Sequence, residues 1–165
     1  MAIATRETME GLISEFRLMR VDLTSSVITD GEVQRLFDHD RLYLDKVNLF
    51  NDSDGKIFET PVKFIESGAS IIDGSDNVLS PDATFYLEGR FTFTSRQSTT
   101  LRIKAYYHNL YMTISRAYRM VAQEDDRWKR YKRGDVELEK ADVISLADKF
   151  AVDGFIPKHV RMERG

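Results

Sequence analysis

The stretch on which the predicted fold depends is Thr99–Ala122, TTLRIKAYYHNLYMTISRAYRMVA. Its apolar and aromatic residues recur at steps of three and four, the spacing that places side chains on one side of an α-helix. These residues are Ile103, Tyr106, Tyr107, Leu110, Ile114, Ala117, Tyr118 and Val121. Neither proline nor glycine interrupts the stretch, and a hydroxyl of Thr99 or Thr100 is available to cap its start. The sequence therefore predicts one long central helix, at about residues 99–122, with other elements packed around it.

Composition limits the class of protein. A chain of 165 residues with 42% hydrophobic content is long enough for one domain with its own core. Its 24 basic and 27 acidic residues argue against a phosphate backbone as the main partner. The absence of cysteine excludes disulfides and thiolate metal ligands. Charged residues interrupt any signal-peptide core, and no apolar run reaches the roughly 18 residues of a membrane span. We expect a soluble protein made in the cytosol.

Two amphipathic helices are predicted before residue 50. The first covers about residues 6–20 and carries an apolar stripe. The stripe consists of Met9, Leu12, Ile13, Phe16 and Met19. Residues 21–28, VDLTSSVI, lack a helical or strand period, so they predict a loop. Thr29 and Glu32 then match a capping box, in which each side chain bonds a free backbone N–H of the other residue, and they predict a second helix over about residues 30–48.

Short runs rich in β-branched and aromatic residues predict an antiparallel sheet inserted over about residues 56–95. The segment Asn51-Asp52-Ser53-Asp54-Gly55 has the composition of a turn before the sheet. The clearest strand signal is the run from Phe85 to Phe93, with Glu88-Gly89 as a hairpin turn because glycine readily takes a positive φ. We expect three to five strands between the second helix and the central helix.

The C-terminal part predicts a short helix and then an extended tail. Residues 140–151 carry apolar side chains at helical spacing, and Gly154 suits the end of that helix. The predicted fold is thus α+β, with a single domain over residues 1–153 and a tail over residues 154–165. Its helices cover about residues 6–20, 30–48, 99–124 and 140–151, in a small bundle around the central helix.

Three polar groups are candidates for chemical sites. In Asp38-His39-Asp40, neighbouring side chains on a helix diverge by about 100°, which favours a solvated face over a metal site. Asn51–Gly55 fails as a calcium loop because Phe50 and Pro61 would occupy ligand positions. His108 is predicted to be a core or edge histidine, and an enzyme site formed by His108 with nearby acids stays open as an alternative. We therefore predict no catalytic, cofactor or metal site, and no enzyme.

Residues 127–133, RWKRYKR, interleave basic and aromatic side chains, a composition typical of surfaces that bind single-stranded nucleic acid. Residues 123–140 nevertheless hold six acidic and six basic side chains, which favours an ion-paired helix end or a contact between subunits. The candidate subunit-contact residues are Arg127, Trp128, Arg130, Tyr131 and Arg133. A small nucleic-acid-binding protein that uses segment 127–133 remains the alternative function.

Four segments follow one another in a fixed order: TDGEVQRLFDHDR, SPDATFYLEGRFTFTS, AYYHNLYMTISRAYRMVA and YKRGDVELEKADVISLADKF. Their order resembles the head-to-tail connector (adaptor) proteins of tailed bacteriophages, in the version with a β insertion. In that family a charged turn containing glycine and a short helix with a Leu-Ala pair follow the long helix. Leu146-Ala147 stands in that place here. The resemblance covers most of residues 6–150.

The resemblance implies a structural protein of the virion neck that is present in the host cytoplasm during assembly. Adaptors of this type form a ring, usually a dodecamer, beneath the portal protein. A stopper or tail-completion protein binds the ring, and double-stranded DNA passes through its channel without sequence-specific binding. The resemblance implies neither a cofactor nor membrane contact. It also implies that the C-terminal segment docks on the portal. The docking residues would be Phe155, Ile156, Pro157, Lys158, Val160, Arg161 and Met162.

Overall fold

A computed structural model describes residues 8–97, 100–132 and 138–155. In this part of the chain there are five α-helices and eight β-strands, and the strands form two antiparallel sheets of four strands each. The predicted α+β class is confirmed. The chain divides into two compact units, which we call the helical unit (residues 9–40 and 109–155) and the β unit (residues 41–108).

The helical unit contains five helices. They are α1 (Met9–Met19), α2 (Asp30–His39), α3 (Leu110–Gln123), α4 (Asp125–Lys132) and α5 (Lys140–Phe155). Helix α1 and the irregular segment that follows it confirm the first predicted helix and the predicted loop. Helix α5 confirms the short C-terminal helix but continues to Phe155, so the predicted tail does not begin at Gly154.

Helix α3 packs against each of the other four helices of the helical unit. Its buried apolar residues include Leu110, Ile114, Ala117, Tyr118 and Val121. Phe16 of α1 and Phe37 of α2 are also fully buried, and their rings meet edge to face with centroids 6.4 Å apart. The core of the helical unit therefore lies around α3, which is 14 residues long.

The prediction of one long helix over residues 99–122 is wrong in its first half. Residues Arg102–His108 form strand β8, and α3 begins only at Leu110. Along β8, buried Ile103 and Ala105 alternate with more exposed neighbours, which is the period of two of a strand. Some of the same residues also fit steps of three and four, so the sequence pattern did not distinguish a strand from a helix. Asn109 caps the N-terminus of α3, and its side-chain oxygen accepts a hydrogen bond from the N–H of Met112 at 3.1 Å. Thr100 is therefore not the cap, and Thr99 lies outside the described residues.

The predicted helix over residues 30–48 is also wrong in its second half. Helix α2 ends at His39, and Arg41–Asn48 form strand β1. Strand β1 pairs antiparallel with β8, so that Arg41 lies opposite His108 and Asn48 opposite Arg102. The register shifts between Leu44 and Val47, where Lys46 takes a φ of +53°. A partner about sixty residues away in the chain decides that this segment is a strand, and no local spacing reports it.

The β unit contains eight strands in its described residues. They are β1 (Arg41–Asn48), β2 (Phe50–Asn51), β3 (Ile57–Glu59), β4 (Ser70–Ile72), β5 (Val78–Leu79), β6 (Ala83–Phe85), β7 (Arg90–Thr92) and β8 (Arg102–His108). The first sheet has the order β1-β8-β4-β5 and the second β2-β3-β7-β6. Strands β3 to β7 confirm the antiparallel insertion, whereas β1, β2 and β8 lie outside the predicted range of 56–95. Residues 61–66 contribute only an isolated bridge, between Ile65 and Tyr107.

The β unit has its own core. It is formed by Leu44, Leu49, Phe58, Ile65, Ile71, Phe91, Phe93, Leu101, Ile103 and Ala105. The rings of Phe58 and Phe93 meet edge to face with centroids 5.7 Å apart. The N–H of Leu49 donates to the carbonyl of Leu101 at 2.9 Å, which extends the β1–β8 pair to the point where the chain passes into β2 of the second sheet.

The turn of residues 86–89 joins β6 to β7 and confirms the predicted hairpin. Gly89 has a φ of +69°, and its carbonyl accepts the N–H of Thr60 at 2.8 Å. A Cβ atom on Gly89 would overlap the hydroxyl of Thr60 and lie 2.6 Å from the carbonyl oxygen of Val62. Glycine is required here by both the backbone angle and the close approach of residues 60–62.

Two alanine substitutions separate these effects. Gly68 also has a positive φ, +92°, but a Cβ there meets nothing within 4 Å. We expect Gly68→Ala to lower the free energy of unfolding by about 1–2 kcal/mol, the cost of a left-handed backbone at a residue with a Cβ. Gly89→Ala should cost about 1–3 kcal/mol more because the methyl group is overpacked. Urea unfolding measures both, and equal losses would show that the contact with Thr60 is unimportant.

Candidate functional site

The loop between α1 and α2, residues 20–29, is irregular and yet partly buried. It places three side chains in the core of the helical unit. These are Leu23, Val27 and Ile28. Buried backbone carbonyls need hydrogen-bond donors, and Arg17 of α1 supplies several. Its guanidinium donates to the carbonyls of Leu23 and Ile28, the latter at 2.7 Å, and to the Asp30 carboxylate at 2.5 Å.

Helix α4 supplies the remaining arginines to this loop. Arg127 donates to the carbonyl of Val27 at 3.2 Å, and Arg130 donates to the carbonyl of Ser26 at 3.1 Å. Arginine presents several N–H groups in one plane, so a single side chain satisfies more than one acceptor. The loop is thus fixed from both sides, by α1 and by α4.

Asp22 is the centre of a polar cluster within the helical unit. Its carboxylate accepts the hydroxyl of Tyr118 at 2.7 Å and the hydroxyl of Tyr131 at 3.0 Å. Its second oxygen lies 2.8 Å from the Arg20 guanidinium. That guanidinium lies over the rings of Tyr118 and Phe150, 5.0 and 5.5 Å from their centroids. The cluster therefore joins the loop to α3, α4 and α5.

The charge state of the Asp22 cluster is well defined. Burial opposes ionisation of Asp22, but hydrogen bonds from Tyr118 and Arg20 outweigh it and lower the pKa of the carboxyl group. Burial, together with the Asp22 carboxylate, raises the pKa of Tyr118 and of Tyr131. The two phenols therefore stay protonated as donors. The cluster is built to hold a carboxylate in place, and its tyrosines are poor bases or nucleophiles at neutral pH.

Glu32 at the start of α2 serves two partners. It accepts the N–H of Thr29 at 2.8 Å, which confirms the predicted capping box. The guanidinium of Arg127 binds both of its oxygens, at 2.6 and 3.1 Å, and also reaches Glu124 at 2.5 Å. Hydrogen bonds from Arg127 are the main cause that lowers the pKa of Glu32 from 4.5 to about 2.

Four of the predicted subunit-contact residues, Arg127, Trp128, Arg130 and Tyr131, lie on α4, and two of them point inward. Arg127 binds Glu32 and the loop, and Tyr131 is buried against Asp22. The ring of Trp128 stacks on Tyr131 with centroids 5.8 Å apart, and Lys132 and Lys140 approach its face. Arg130 binds Ser26 as described, and Arg133 lies outside the described residues. The described members of segment 127–133 thus support the helical unit itself, and a contact with a neighbouring subunit stays a prediction.

The cluster Asp38-His39-Asp40 is only partly a solvated helix face. His39 is exposed, but the Asp40 side chain is 8% exposed and accepts a hydrogen bond from Arg116 of α3 at 2.7 Å. The prediction was wrong for Asp40 because its partner lies 76 residues later in the chain. In the described ranges no group of three or more His, Asp or Glu residues is arranged to hold a metal ion.

Two further predictions hold. Asp52 forms a turn in which its carboxylate accepts the N–H groups of Lys56 and Ile57, at 3.0 and 3.2 Å. His108 is a buried histidine, although it lies on β8 rather than in a helix. Its Nε2 is 3.9 Å from the Glu66 carboxylate.

The first two residues of the predicted tail, Gly154 and Phe155, belong to α5. Gly154 is buried within α5, and its carbonyl accepts the side-chain amide of Asn109 at 3.0 Å. Phe155 is the last residue of α5. The other docking residues lie outside the described part of the chain. They are Ile156, Pro157, Lys158, Val160, Arg161 and Met162.

Exposed apolar and aromatic residues are the features that the sequence reasoning missed. At the end of α1, Leu18 is 74% exposed and Val21 is 79% exposed, with partly exposed Met19 between them. In the β unit, Tyr43 and Tyr106 are about half exposed and lie side by side. The exposure of Leu18 could have been predicted, because Leu18 falls outside the apolar stripe of α1. The tyrosine pair could not, because its two residues lie on strands far apart in the sequence.

No helix of the described residues is long and apolar enough to cross a membrane. Comparison of the chain with protein-family models, curated proteins and solved structures gave no match.

The low pKa of Glu32 predicts acid sensitivity. A carboxyl group whose pKa is lower in the folded state stabilises the fold above its ordinary pKa and loses that contribution as the pH falls. We expect the free energy of unfolding to decrease between about pH 4.5 and pH 2, partly through Glu32. Glu32→Gln should flatten this part of the profile, as measured by denaturant unfolding at each pH. Glu59→Gln, at an exposed position of β3, should not, and a profile unchanged by Glu32→Gln would contradict the assignment.

Removal of the Tyr118 hydroxyl tests the Asp22 cluster. We expect Tyr118→Phe to lower the free energy of unfolding by about 1–3 kcal/mol, because a partly buried carboxylate loses a donor. Tyr111→Phe is the matched control, since the Tyr111 hydroxyl bonds to no residue that the structure describes.

A double-mutant cycle then assigns the effect. In an Asp22→Asn background the cost of Tyr118→Phe should shrink, because the charged acceptor is gone. An undiminished cost would show that Tyr118 acts through packing alone.

Proposed function

We propose that the protein is a structural subunit of a phage neck. It forms an oligomeric ring that joins the portal to the next neck or tail component and surrounds the DNA channel. The order of elements supports this proposal. A helix and a capped second helix come first, the β unit is inserted between α2 and α3, and a charged stretch of sequence that contains Gly134 precedes α5. Helix α3 is shorter than the resemblance to adaptor proteins implies, since part of the matching segment is strand β8.

The observation that carries the proposal is the exposed apolar end of α1. Single exposed apolar side chains are common, but here Leu18, Met19 and Val21 fall within four residues of chain. Leu18 and Met19 lie on the last turn of α1, and Val21 lies in the loop that arginines and the Asp22 cluster hold. A group of exposed apolar side chains is typical of a protein–protein contact. We place a contact with a neighbouring subunit at this patch.

In this proposal α4 does not contact the neighbouring subunit but supports the loop that does. Arg127 and Tyr131 fix the loop that presents Val21, so their loss should weaken assembly through the fold of the subunit. The nucleic-acid alternative on segment 127–133 gains no support, because these two side chains are engaged inside the helical unit. Docking on the portal is assigned to residues 156–162, which follow α5.

A truncation after Phe155 tests portal docking. This end point keeps the whole of α5 and the bond from Asn109 to the Gly154 carbonyl, whereas an earlier end point would remove that bond. We expect the truncated protein to keep the thermal stability of the full chain and to be absent from purified portal-containing particles. Mass spectrometry of the particles and electron microscopy of their necks measure the outcome. Complete necks built from truncated protein would exclude a docking role for residues 156–165.

Charged substitutions test the subunit contact. We expect Leu18→Asp with Val21→Asp to prevent ring formation without unfolding the subunit, because both side chains are exposed. Val78→Asp, at an equally exposed apolar position of the β unit, should leave ring formation unchanged. Sedimentation of the purified protein, alone and with portal-containing particles, gives the oligomeric state. If the unmodified protein neither forms rings nor joins such particles, the proposed function is wrong.

A further inference from the structure

Tyr43 of β1 and Tyr106 of β8 form an exposed aromatic pair on the first sheet of the β unit. They lie directly opposite each other in the antiparallel register, and their ring centroids are 4.8 Å apart. The guanidinium of Arg41 lies 4.2 Å from the Tyr106 centroid and holds that ring. Although paired, the two tyrosines remain 51% and 45% exposed. Aromatic rings of this size are usually covered, so the pair offers a surface for a ligand.

A groove of about 410 Å³ lies beside the pair. It forms because the chain leaves the ladder of β8 between Ile65, which bridges Tyr107, and Ser70, which lies opposite Lys104. The intervening residues include a turn at Ser67-Gly68, and Gly68 takes a φ of +92° with open space where a Cβ atom would lie. The groove is lined by Tyr43, Tyr106, Arg41, Lys104, Ser67 and Ser70, among others. Its volume lies within the usual range of small-ligand sites.

Two cations and one carboxylate line this groove: Arg41 pairs with Glu66 at 3.2 Å, and Lys104 forms no salt bridge with a described residue, although its charge helps to lower the pKa of Asp76. Farther along the same two strands, Arg102 and Lys46 share Asp76. Asp73 also lies close enough to Arg102 for the two charges to interact. With Asp45 of β1 included, four basic and four acidic side chains balance along these strands. The groove itself is lined by Arg41, Lys104 and Glu66, so one positive charge is in excess there, next to the tyrosines.

We propose that this groove binds a short stretch of single-stranded nucleic acid. A base stacks on the exposed tyrosine pair, and a backbone phosphate pairs with Lys104 beside the Arg41 guanidinium. Exposed aromatic rings next to a cation without a salt bridge suit this ligand, because every base has a flat face and every nucleotide a negative charge. An acidic peptide would pair with Lys104 but leave the rings uncovered. In a duplex the bases are stacked on one another and cannot cover the rings.

The site is independent of the proposed neck function and of segment 127–133. In that segment Tyr131 is buried and Trp128 stacks on it, so neither ring is free for a base. In the β unit the basic and aromatic residues come from two strands more than fifty residues apart in the chain, and the sheet brings them together.

Fluorescence anisotropy with a labelled oligothymidylate of about ten nucleotides tests the site in the full-length protein. We expect binding at low salt that weakens as salt increases. Tyr43→Ala with Tyr106→Ala should weaken binding by about tenfold or more, as for other bases stacked on aromatic rings. Lys104→Glu should also weaken it. Tyr43→Phe with Tyr106→Phe keeps both rings and should bind as the unmodified protein does, which separates loss of stacking from loss of the fold.

Phe85→Ala is the matched control, since Phe85 is an exposed aromatic residue of the second sheet with the Arg90 guanidinium 4.7 Å from its centroid. It should leave binding unchanged. The inference is overturned if the unmodified protein does not bind the oligothymidylate at low salt, or if the double alanine variant binds equally well. It is also overturned if a duplex of the same length binds as tightly, or if polyglutamate displaces the oligothymidylate at equal charge concentration.

Discussion

The helical unit depends on one constraint: a buried loop without regular structure must find partners for its own polar groups. Residues 20–29 place three apolar side chains in the core, which draws the backbone out of water. Arginines 17, 127 and 130 donate hydrogen bonds to carbonyls of the loop, and Asp22 accepts hydrogen bonds from two tyrosine hydroxyls and pairs with Arg20. Since an unsatisfied buried polar group costs about as much as a lost hydrogen bond, these contacts fix the loop. They thereby fix the side chains that the loop leaves exposed.

The β unit depends on a different constraint, the antiparallel pairing of β1 with β8. These are its two longest strands, and they join residues 41–48 to residues 102–108. The pairing directs Ile103 and Ala105 into the core and turns Tyr43 and Tyr106 to the other face, because side chains alternate along a strand. One register therefore decides both the core packing and the aromatic pair that we assign to nucleic acid. A slip of one residue would exchange the two faces.

What could be read from the sequence is local. The capping box at Thr29 and Glu32, the turn at Asp52, the hairpin glycine Gly89 and helices α1 and α5 all follow from residues within a few positions of one another. Such features depend on backbone angles and on hydrogen bonds between near neighbours, which the same few residues largely determine in any fold. The α+β class followed from the change of period between the first helices and the aromatic runs. The charged character of residues 123–140 was visible too, but not the inward direction of Arg127.

What only the tertiary structure decided is set by partners far apart in the chain. Residues 41–48 and 102–108 carry patterns compatible with a helix or a strand, and each becomes a strand because the other lies beside it. The sequence predicts a solvated Asp40, but Arg116, 76 residues away, donates a hydrogen bond to it. Arg127 likewise binds Glu32, a partner 95 residues away that the local sequence does not indicate. The hydrophobic periodicity of a segment indicates which of its faces could be buried. It does not report what covers them, because hydrophobic burial and ion pairing are properties of the assembled contacts rather than of the segment.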